Sequence, residues 1–390
     1  MVDDKAIDEL VAWMADGAQP FHDGRRIVAE LCERLNRAGV PVDLYRLFLF
    51  TIHPTIMGRR LQWTAAAGTQ ITEADFALFE TDQYTRNPLP RVIETRRPLR
   101  LHLADPGCPR DYIVVEELRA AGFTDYLCQP VIYVDGEVHT MSWSSRHPGG
   151  FSPAAVAALE RIRAPLTRLI ESYILRLNAA NIISTYVGRG AGERVLRGHI
   201  RRGDAEEIAA VILFADLKSY TELSNRESAV AVLGALNRFF DAFEEPIRAN
   251  GGEILKFMGD GLLAIFPVRD DVGGTAGEAA RAAAARGACA AVDAARAALV
   301  TAEPAIGFRS AVHVGRLSYG NIGASRRLDF TAIGPAVNLA ARLLSVASSL
   351  GRDDVCSAEI AALIGSAELV SSVALKGFAG EQAVYARAGG

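Results

Sequence analysis

Apolar residues at helical spacing open the chain and predict one or two amphipathic helices within residues 5–38. The two apolar faces comprise Leu10, Val11 and Met14, followed by Ile27, Leu31 and Leu35. Residues 43–53 are dense in aromatic and aliphatic side chains and predict a strand. Residues 59–67 are its expected hairpin partner, with Pro54 and Gly58 in the turn. The chain is therefore expected to begin with helices beside a sheet.

The rest of the first half holds a less regular stretch, a hairpin and a long helix. Residues 72–96 are polar and mixed, and we expect them to be helical in part. Residues 126–145 contain two runs of β-forming residues joined by an Asp-Gly pair, which predicts a hairpin. A Ser-Pro pair at 152–153 predicts the start of a long helix. The apolar stripe of that helix comprises Leu159, Ile162, Leu166, Leu169, Ile174 and Leu177.

Residues 173–203 differ in composition from the segments on either side. They hold several glycines and six arginines, between helical patterns. One interpretation is a solvated linker. The other is a helical transmission segment that sets how two catalytic domains meet, and we favour this second interpretation.

Two aspartates in the second half follow apolar strand patterns. Residues 208–214 are uncharged and predict a buried strand, after which comes Asp216, with a helix expected from about Thr221. Residues 251–267 predict two strands around a tight Gly-Asp-Gly turn that contains Asp260. Such residues are often only a helix cap or a hairpin turn. Alternatively, two carboxylates at adjacent strand ends would suit a pair of Mg²⁺ or Mn²⁺ ions that bridge a triphosphate.

A third polar segment carries two polar residues on a predicted helix. Residues 327–347 predict a strand, a Gly-Pro turn and a helix. Asn338 and Arg342 are four residues apart and therefore share one face of that helix. A cap and a surface ion-pair partner would explain them, but their place within an apolar pattern favours a functional role. The alanine-rich run at residues 278–299 predicts a surface or packing helix.

Composition narrows the possible functions. The 390 residues, half of them hydrophobic and 23% charged, suffice for two globular domains. A net charge of −4 gives no basic footprint, so we expect no nucleic-acid partner. Five scattered cysteines without a CxxC pair disfavour a disulfide framework or zinc site and favour a cytoplasmic location. The acidic N-terminus and the absence of a long apolar run predict neither a signal peptide nor insertion into a membrane.

The three polar segments together resemble the catalytic domain of class III adenylyl and guanylyl cyclases. The motifs FADLKSYT, KFMGDG and DFTAIGPAVNLAAR occur in the family's order and spacing between about Asp204 and Arg387, and YGNIGAS adds a stretch common in bacterial members. The resemblance implies an α+β domain with a ferredoxin-like β-α-β-β-α-β core and an extra hairpin. It also implies cyclisation of a nucleoside triphosphate, with ATP as the expected substrate and pyrophosphate as the second product.

The resemblance assigns roles to individual residues. Asp216 and Asp260 correspond to the two metal-binding aspartates, so two Mg²⁺ or Mn²⁺ ions are the implied cofactors. Asn338 corresponds to the residue that orients the ribose, and Arg342 to the arginine that neutralises charge at the α-phosphate in the transition state. Lys376 corresponds either to a basic contact for the terminal phosphates or to a solvated loop lysine. Backbone amides near a helix start would contact the phosphates; they belong to Leu217, Lys218, Ser219, Tyr220 and Thr221.

Two further positions correspond to those that select the base. Lys256 lies three residues before Gly259, where adenylyl members have a lysine and guanylyl members typically have glutamate. Thr331 lies three residues before Gly334, where many adenylyl members have aspartate and guanylyl members have cysteine. A lysine donor suits adenine N1, and a threonine hydroxyl can accept from the exocyclic amine. Adenine therefore fits better than guanine, and Thr331 also resembles a bicarbonate-responsive subgroup.

The first half resembles a GAF domain over roughly residues 20–172, with a PAS-like domain as the competing interpretation. The resemblance lies in the hairpin at 126–145, the GGFSP helix start and the long helix that follows. It implies a second α+β domain that binds a small molecule or dimerises. The predicted organisation is a GAF-like or PAS-like regulatory domain over 1–172, a helical linker over 173–203 and a cyclase domain over 204–390.

The spacing of the site residues predicts a homodimer. Lys256 and Asp260 are about 13 Å apart at the rise of an extended strand, so one chain can hardly grip both the base and the α-phosphate of one ATP. In the family, one subunit supplies the two aspartates and the other supplies the lysine, threonine, asparagine and arginine. Two equivalent sites are therefore expected at the interface of a homodimer. The alternatives are an inactive nucleotide-binding regulatory protein, disfavoured by the intact site residues, and a guanylate cyclase; a diguanylate cyclase lacks its GGDEF-type motif here.

Overall fold

A computed structural model describes residues 1–268 and 275–387 of the chain. The chain divides into two compact units, Met1–Ile182 and Ile183–Gly390. The predicted cyclase domain over 204–390 therefore includes residues 269–274 and 388–390, which lie outside the described residues. Each unit contains one sheet and its own hydrophobic core.

The first unit is an α+β domain built on one antiparallel sheet. Its strands are β1 (Leu44–Phe50), β2 (Ile56–Thr64), β3 (Gly68–Asp75), β4 (Leu99–His102), β5 (Asp125–Ile132) and β6 (Val138–Ser145). Its helices are α1 (Asp4–Ala15), α2 (Gly24–Arg37), α3 (Asp82–Thr85), α4 (Pro88–Thr95), α5 (Ile113–Ala120) and α6 (Pro153–Val187), with a 3-10 turn at Phe76–Glu80. The strand order is β3-β2-β1-β6-β5-β4.

The two faces of this sheet differ in polarity. On one face, Tyr45 and Leu47 of β1 are buried in an apolar core with residues of α1, α2 and α6. Successive side chains of a strand point to opposite sides, so Arg46 and Phe48 belong to the other face. There they line a cavity together with the 3-10 turn, α3 and α5.

The predicted helices, the β1–β2 hairpin and the β5–β6 hairpin of the first unit are confirmed, but two details differ. Gly58 was expected in the first turn, yet it lies in β2 opposite Phe50. A Cβ at Gly58 would come within 2.6 Å of the Leu49 carbonyl oxygen, so the close approach of β1 explains this glycine. Residues 68–75 form β3, a strand that the sequence did not predict, since residues 72–96 were expected to be helical in part. This strand has few apolar residues because it lies at the sheet edge.

The second unit is also α+β. Its strands are β7 (Ala205–Leu217), β8 (Glu253–Met258), β9 (Gly261–Val268), β10 (Phe308–Ala324), β11 (Arg327–Ile333), β12 (Asp354–Ser357), β13 (Ala367–Ala374) and β14 (Glu381–Arg387). Its helices are α7 (Arg189–Leu196), α8 (Tyr220–Arg226), α9 (Ala229–Ala249), α10 (Thr275–Val300), α11 (Pro335–Ser349) and α12 (Ala358–Ile364).

The predicted ferredoxin-like core is present in the second unit. The succession β7-α9-β8-β9-α10-β10 folds into a sheet in which these strands lie in the order β10-β7-β9-β8. β11 pairs with the far end of β10 as the extra hairpin, and β12 to β14 extend the sheet on the same side of β10, away from β7. Residues of α9, α10 and α12 cover one face of the sheet, and residues of α7 and α11 cover the other. Both faces are therefore buried at the centre of β7, which explains its uncharged run.

The predicted linker over 173–203 contains two helical segments. Its first residues continue α6 as far as Val187, and Gly188 then breaks the helix with φ +90°. The next segment is α7, whose Ala191 is fully buried beside Ala210 and Ile212 of β7 in the core of the second unit. The solvated-linker interpretation therefore does not describe α7.

All five cysteines are buried and none forms a disulfide. Among the helices in residues 1–268 and 275–387, none combines the length and the apolar character that crossing a membrane requires.

Candidate active site

Asp216 lies where the buried strand β7 leaves the core of the second unit. It is the next-to-last residue of β7, with Gly261 of β9 opposite it on one side and Arg309 of β10 opposite it on the other. Its side chain shares a face with Ile212 and Phe214, because residues two apart in a strand point the same way. Arg309 was not identified from the sequence, since only the register of β10 on β7 brings it beside the aspartate.

Asp260 is presented next to Asp216 by a tight hairpin turn. The register of β8 on β9 leaves Gly259 and Asp260 as the two central residues of that turn. Gly259 has φ +66°, and a glycine suits a first turn position that needs a positive φ. The two central residues of the turn thus lie within the predicted Gly-Asp-Gly segment. The Leu217 amide donates to the Asp260 carbonyl oxygen at 3.0 Å, which ties the turn to the end of β7.

The Asp216 carboxylate is in an unfavourable environment for a charged group. Its Oδ1 atom is buried and has no hydrogen-bond partner among the described residues. Burial raises the pKa of Asp216 to about 6; the charge of Arg309 lowers it in part, and the charge of Asp260 adds a smaller upward contribution. A cation between the two carboxylates would relieve both the burial penalty and the mutual repulsion.

These two carboxylates fit a divalent metal ion. Mg²⁺ is commonly held by one or two carboxylates together with substrate phosphates and water, and Asp216 Oδ1 is an available acceptor for it. Within the part of the chain that the structure describes, no group of three or more His, Cys, Asp or Glu side chains is arranged to hold a metal. Phosphate and water oxygens would therefore have to complete the coordination sphere.

The segment expected to contact phosphates is already partly engaged within the chain. The Leu217 amide is used by Asp260, and the Lys218 amide donates to the Gly307 carbonyl oxygen at 2.9 Å. The Lys218 ammonium group forms an ion pair with the Asp353 carboxylate. Both backbone amides are thus bonded to protein carbonyls in this conformation, which the sequence did not indicate.

The other three residues of that segment lie at the start of α8. Ser219 precedes the helix with φ +55°, and Tyr220 and Thr221 are its first two residues. The first amides of a helix have no acceptor within the helix itself. Ser219, Tyr220 and Thr221 therefore stay the candidates for phosphate contacts.

Lys256 forms an ion pair that the sequence did not reveal. Its Nζ atom lies 2.8 Å from Oδ2 of Asp329 in β11, and the two side chains are 28% and 74% exposed. Thr331 lies two residues farther along β11 and is 6% exposed. The structure therefore brings Lys256 beside the strand that carries Thr331, with Asp329 as an additional carboxylate. Asp329 belongs to the DFTAIG motif of the sequence, but its contact with Lys256 depends on the approach of β8 to β11, which the sequence did not reveal.

Asn338 and Arg342 are both exposed on one side of α11, while Leu339 and Leu343 bury the other side of the helix. An exposed amide and guanidinium at this spacing can reach a molecule outside the chain. Lys376 is exposed in the turn between β13 and β14. The structure therefore leaves all three side chains accessible, and their roles stay predictions.

Comparison with known sequences identifies the domain that holds these residues. Residues 204–371 match the family described as Adenylate and Guanylate cyclase catalytic domain. The matched segment contains every predicted site residue except Lys376. Cyclase catalytic domains use divalent metal ions, in keeping with the environment of Asp216 and Asp260.

Individual relatives cover the same part of the chain. An uncharacterized protein of Mycobacterium tuberculosis (strain ATCC 25618 / H37Rv) is 34% identical over 177 residues, which is 45% of this chain and 31% of that protein. Adenylate cyclase 1 of Rhizobium meliloti (strain 1021) is 31% identical over 173 residues, which is 42% of this chain and 25% of that enzyme. The chain thus spans about a third or less of these relatives' length.

Among solved structures, the adenylyl cyclase CyaB from P. aeruginosa is similar to this chain. It aligns with a TM-score of 0.41 and 25% identity, over 47% of this chain and 95% of that chain. The family match over residues 204–371, together with the strand order and the two adjacent aspartates, leads to one conclusion. The second unit of this chain contains a catalytic domain of the adenylate and guanylate cyclase family.

Proposed function

We propose that the chain is an adenylate cyclase that converts ATP to 3′,5′-cyclic AMP and pyrophosphate, regulated by its first unit. The observation that carries the proposal is the pair Asp216 and Asp260 at adjacent strand ends, where a buried carboxylate oxygen lacks a partner among the described residues. A charged group kept in an unfavourable position is typical of a functional site.

The proposed reaction forms one bond and breaks one bond at the α-phosphorus of ATP. The ribose 3′-oxygen attacks, its proton passes to solvent, and pyrophosphate leaves with the electron pair of the broken P–O bond. When bound at Asp216 and Asp260, two Mg²⁺ or Mn²⁺ ions supply Lewis-acid charge that favours ionisation of the 3′-hydroxyl. Asn338 orients the ribose, and Arg342 offsets the negative charge that develops on the α-phosphate.

The proposed preference for ATP rests on the polar groups near Lys256. Adenine presents an acceptor at N1 and a donor at its exocyclic amine. Lys256 can donate to the first, and Thr331 or Asp329 can accept from the second. Guanine presents the opposite pattern at these two positions, so the same groups would fit it less well.

The proposed active unit is a homodimer. Asn338 and Arg342 are exposed, which suits residues that act on a nucleotide held by the aspartates of a second chain. The two subunits would each contribute one half of two equivalent sites. A single cyclase domain per chain is compatible with this arrangement.

The first unit is proposed to be a GAF-like regulatory domain that binds a small molecule. The support is its own sheet and core, together with a cavity on the polar face of that sheet. A domain of this kind would alter cyclase activity through the helices that follow it.

Product analysis of the full-length protein tests the central proposal. The purified chain is incubated with ATP or GTP, each with Mg²⁺ or Mn²⁺, and the nucleotides are separated and quantified. Cyclic AMP from ATP, lost in the Asp216→Asn variant, is the expected result. Cyclic GMP as the main product would favour a guanylate cyclase. Binding of ATP without any cyclic product, in both the full chain and the 183–390 fragment that keeps α7, would favour the inactive nucleotide-binding protein.

A further inference from the structure

The first unit contains a cavity of about 630 Å³, a size typical of small-molecule sites. Its floor is the polar face of the sheet, with residues from β1, β2, β3, β5 and β6. The 3-10 turn, α3 and α5 supply the opposite wall. A sheet face that is covered yet lined by polar side chains is poorly suited to a packed core, and it is well suited to a polar ligand.

Two arginines face this cavity without a carboxylate partner. Arg46 Nε donates to Gln62 Oε1 at 2.7 Å, and Arg60 Nε donates to Thr72 Oγ1 at 3.2 Å. Neither guanidinium has a carboxylate within ion-pair distance among the described residues. Burial lowers the pKa of Arg46, and the nearby charge of Arg60 adds to this effect. Arg46 is half-buried and Arg60 is exposed, and an anion beside these two like charges would offset their repulsion.

The acidic residues of the same lining do not supply that anion. Glu73 forms an ion pair with Arg59 at 2.8 Å. Asp75 accepts a hydrogen bond from the Ala77 amide at 3.0 Å, where it starts the 3-10 turn. Glu117 is exposed on α5 and acts on Arg46 only as a more distant charge. The terminal nitrogen atoms of Arg46 and Arg60 therefore stay available to a ligand.

Thr140 gives an independent indication of a ligand. It lines the cavity and is 1% exposed, and its hydroxyl has no hydrogen-bond partner among the described residues. A buried hydroxyl left unpaired costs stability, which a hydrogen bond to a ligand would restore. Phe48, Tyr84 and Tyr126 line the same space and offer ring surfaces to a planar group. The site thus combines cationic, hydroxyl and aromatic contacts.

We propose that this cavity binds an organic anion, whose carboxylate, sulfonate or phosphate group is held by Arg46 and Arg60. Its aromatic or apolar body lies against Phe48, Tyr84 and Tyr126, and Thr140 provides a polar contact. A guanidinium binds such anionic groups through paired hydrogen bonds, so two of them give a specific anchor. The inference rests on the small-molecule binding proposed for the first unit, and occupancy of the cavity does not depend on the reaction proposed for the second unit.

The test uses the full-length protein and a fluorescent aromatic anion, 8-anilinonaphthalene-1-sulfonate. Its neutral counterpart N-phenyl-1-naphthylamine has the same rings without the sulfonate. We expect saturable binding of the anion at one high-affinity site per chain. Arg46→Gln and Arg60→Gln should each weaken it by at least about tenfold, the loss typical of a charged hydrogen bond. The affinity for the neutral probe should change less than about twofold, since the rings keep their contacts.

Three further variants show whether the anion binds in this cavity or elsewhere on the chain. Thr140→Val should fold normally, because its hydroxyl has no partner to lose, and should weaken anion binding by about threefold. Arg25→Gln removes an exposed arginine from α2, and Arg342→Gln removes the arginine of the candidate active site. Both should leave the affinity for the anion unchanged. Thermal unfolding of every variant shows whether a loss of binding reflects a loss of fold.

Several results would overturn the proposal. One is the absence of saturable binding, and another is equal affinity of wild type, Arg46→Gln and Arg60→Gln for the anion. Loss of binding in Arg342→Gln alone would place the probe at the nucleotide site instead. Because no turnover is measured, a failure here is distinguishable from a failure of the proposed cyclase activity.

Discussion

At the scale of single residues, Asp216 stands out because its carboxylate lies in an unfavourable environment for a charged group. The Asp216 side chain is half-buried and close to Asp260, and its Oδ1 atom is buried without a partner among the described residues, so its ionised form destabilises the folded chain. The same features make it ready to receive a cation. The charge that would bind a metal ion therefore lowers the stability of the metal-free protein. Turnover and thermal unfolding measure these two effects separately.

Asp216→Asn should abolish cyclic nucleotide formation and yet raise the stability of the metal-free protein at pH 7. The folded pKa of Asp216 is raised from 3.8 to about 6, so between these values the folded state holds the proton more tightly than the unfolded state. Stability therefore falls as pH rises through this window, and the penalty is complete above about pH 6. Asparagine carries no such penalty. Thermal unfolding in EDTA at pH 4 and pH 7 should show the variant's advantage only at pH 7.

Asp241→Asn is the matched control for this prediction, because Asp241 is exposed on α9. It should change neither turnover nor the pH dependence of the melting temperature. Wild-type turnover in Asp216→Asn would remove the metal assignment. An unchanged pH dependence would show that the Asp216 carboxylate is not disfavoured in the folded chain.

Base selection should depend on Asp329 as well as on Lys256 and Thr331. Lys256→Glu with Thr331→Cys introduces the residues typical of guanylyl members, but it places the new glutamate against Asp329. Like charges at this distance repel each other. Adding Asp329→Asn should therefore raise the GTP-to-ATP rate ratio above that of the double variant. The exposed ion pair contributes little to stability, so the fold should persist.

Initial rates with each nucleotide, measured for the single, double and triple variants, check this expectation. Asp329→Asn alone should raise the KM for ATP more than it lowers kcat, because Lys256 loses the group that positions it. A GTP-to-ATP ratio that stays constant across the series would refute the proposed base contacts.

At the scale of secondary structure, the site depends on how closely β9 approaches β7. A Cβ added to Gly261 would lie 2.8 Å from the Ala215 carbonyl oxygen, a backbone atom with little freedom to move. Gly261→Ala should push β9 away from β7 and separate Asp260 from Asp216. We expect a loss of about 1–3 kcal/mol in unfolding free energy. Turnover should fall by about a hundredfold, because small displacements at a reacting centre are costly.

Gly234→Ala is a suitable control because Gly234 lies within helix α9 and its nearest neighbour would be 3.7 Å away. Alanine favours a helix over glycine by about 1 kcal/mol, so this variant should be more stable and fully active. Urea unfolding and turnover are measured for both variants. Equal turnover in Gly261→Ala and wild type would show that the approach of β9 is not critical to the site.

Local patterns predicted most elements but few of the contacts between them. A strand buried on both faces leaves a continuous apolar run, which predicted the strand before Asp216. A helix buried on one face leaves apolar residues at helical spacing, which predicted the helix around Asn338. β3 was missed because no residue of this edge strand is buried, so its sequence shows neither an apolar run nor an apolar alternation. The Lys256–Asp329 pair joins residues 73 positions apart, and no local pattern encodes such a contact. The same applies to the unpartnered oxygen of Asp216, which depends on three strands.

At the scale of the whole molecule, the chain combines a cyclase domain in its second unit with a first unit that has its own core and cavity. The described part of one chain holds the two aspartates together, and it leaves Asn338 and Arg342 exposed to an external partner. If a second copy is that partner, each site combines residues from both chains. Mixing two inactive variants tests whether each site combines residues from two chains.

Asp216→Asn and Arg342→Ala should each be inactive alone but recover activity when the two proteins are mixed. In a mixed dimer, one site receives both altered residues and the other receives neither, so one of its two sites is intact. Random exchange of equal amounts makes half of the dimers mixed, which gives about a quarter of the wild-type rate. A mixture of Asp216→Asn with Asp260→Asn should recover nothing, because both aspartates act from the same chain. Recovery in neither mixture, with subunit exchange verified by a tagged copy, would mean that one chain supplies the complete site.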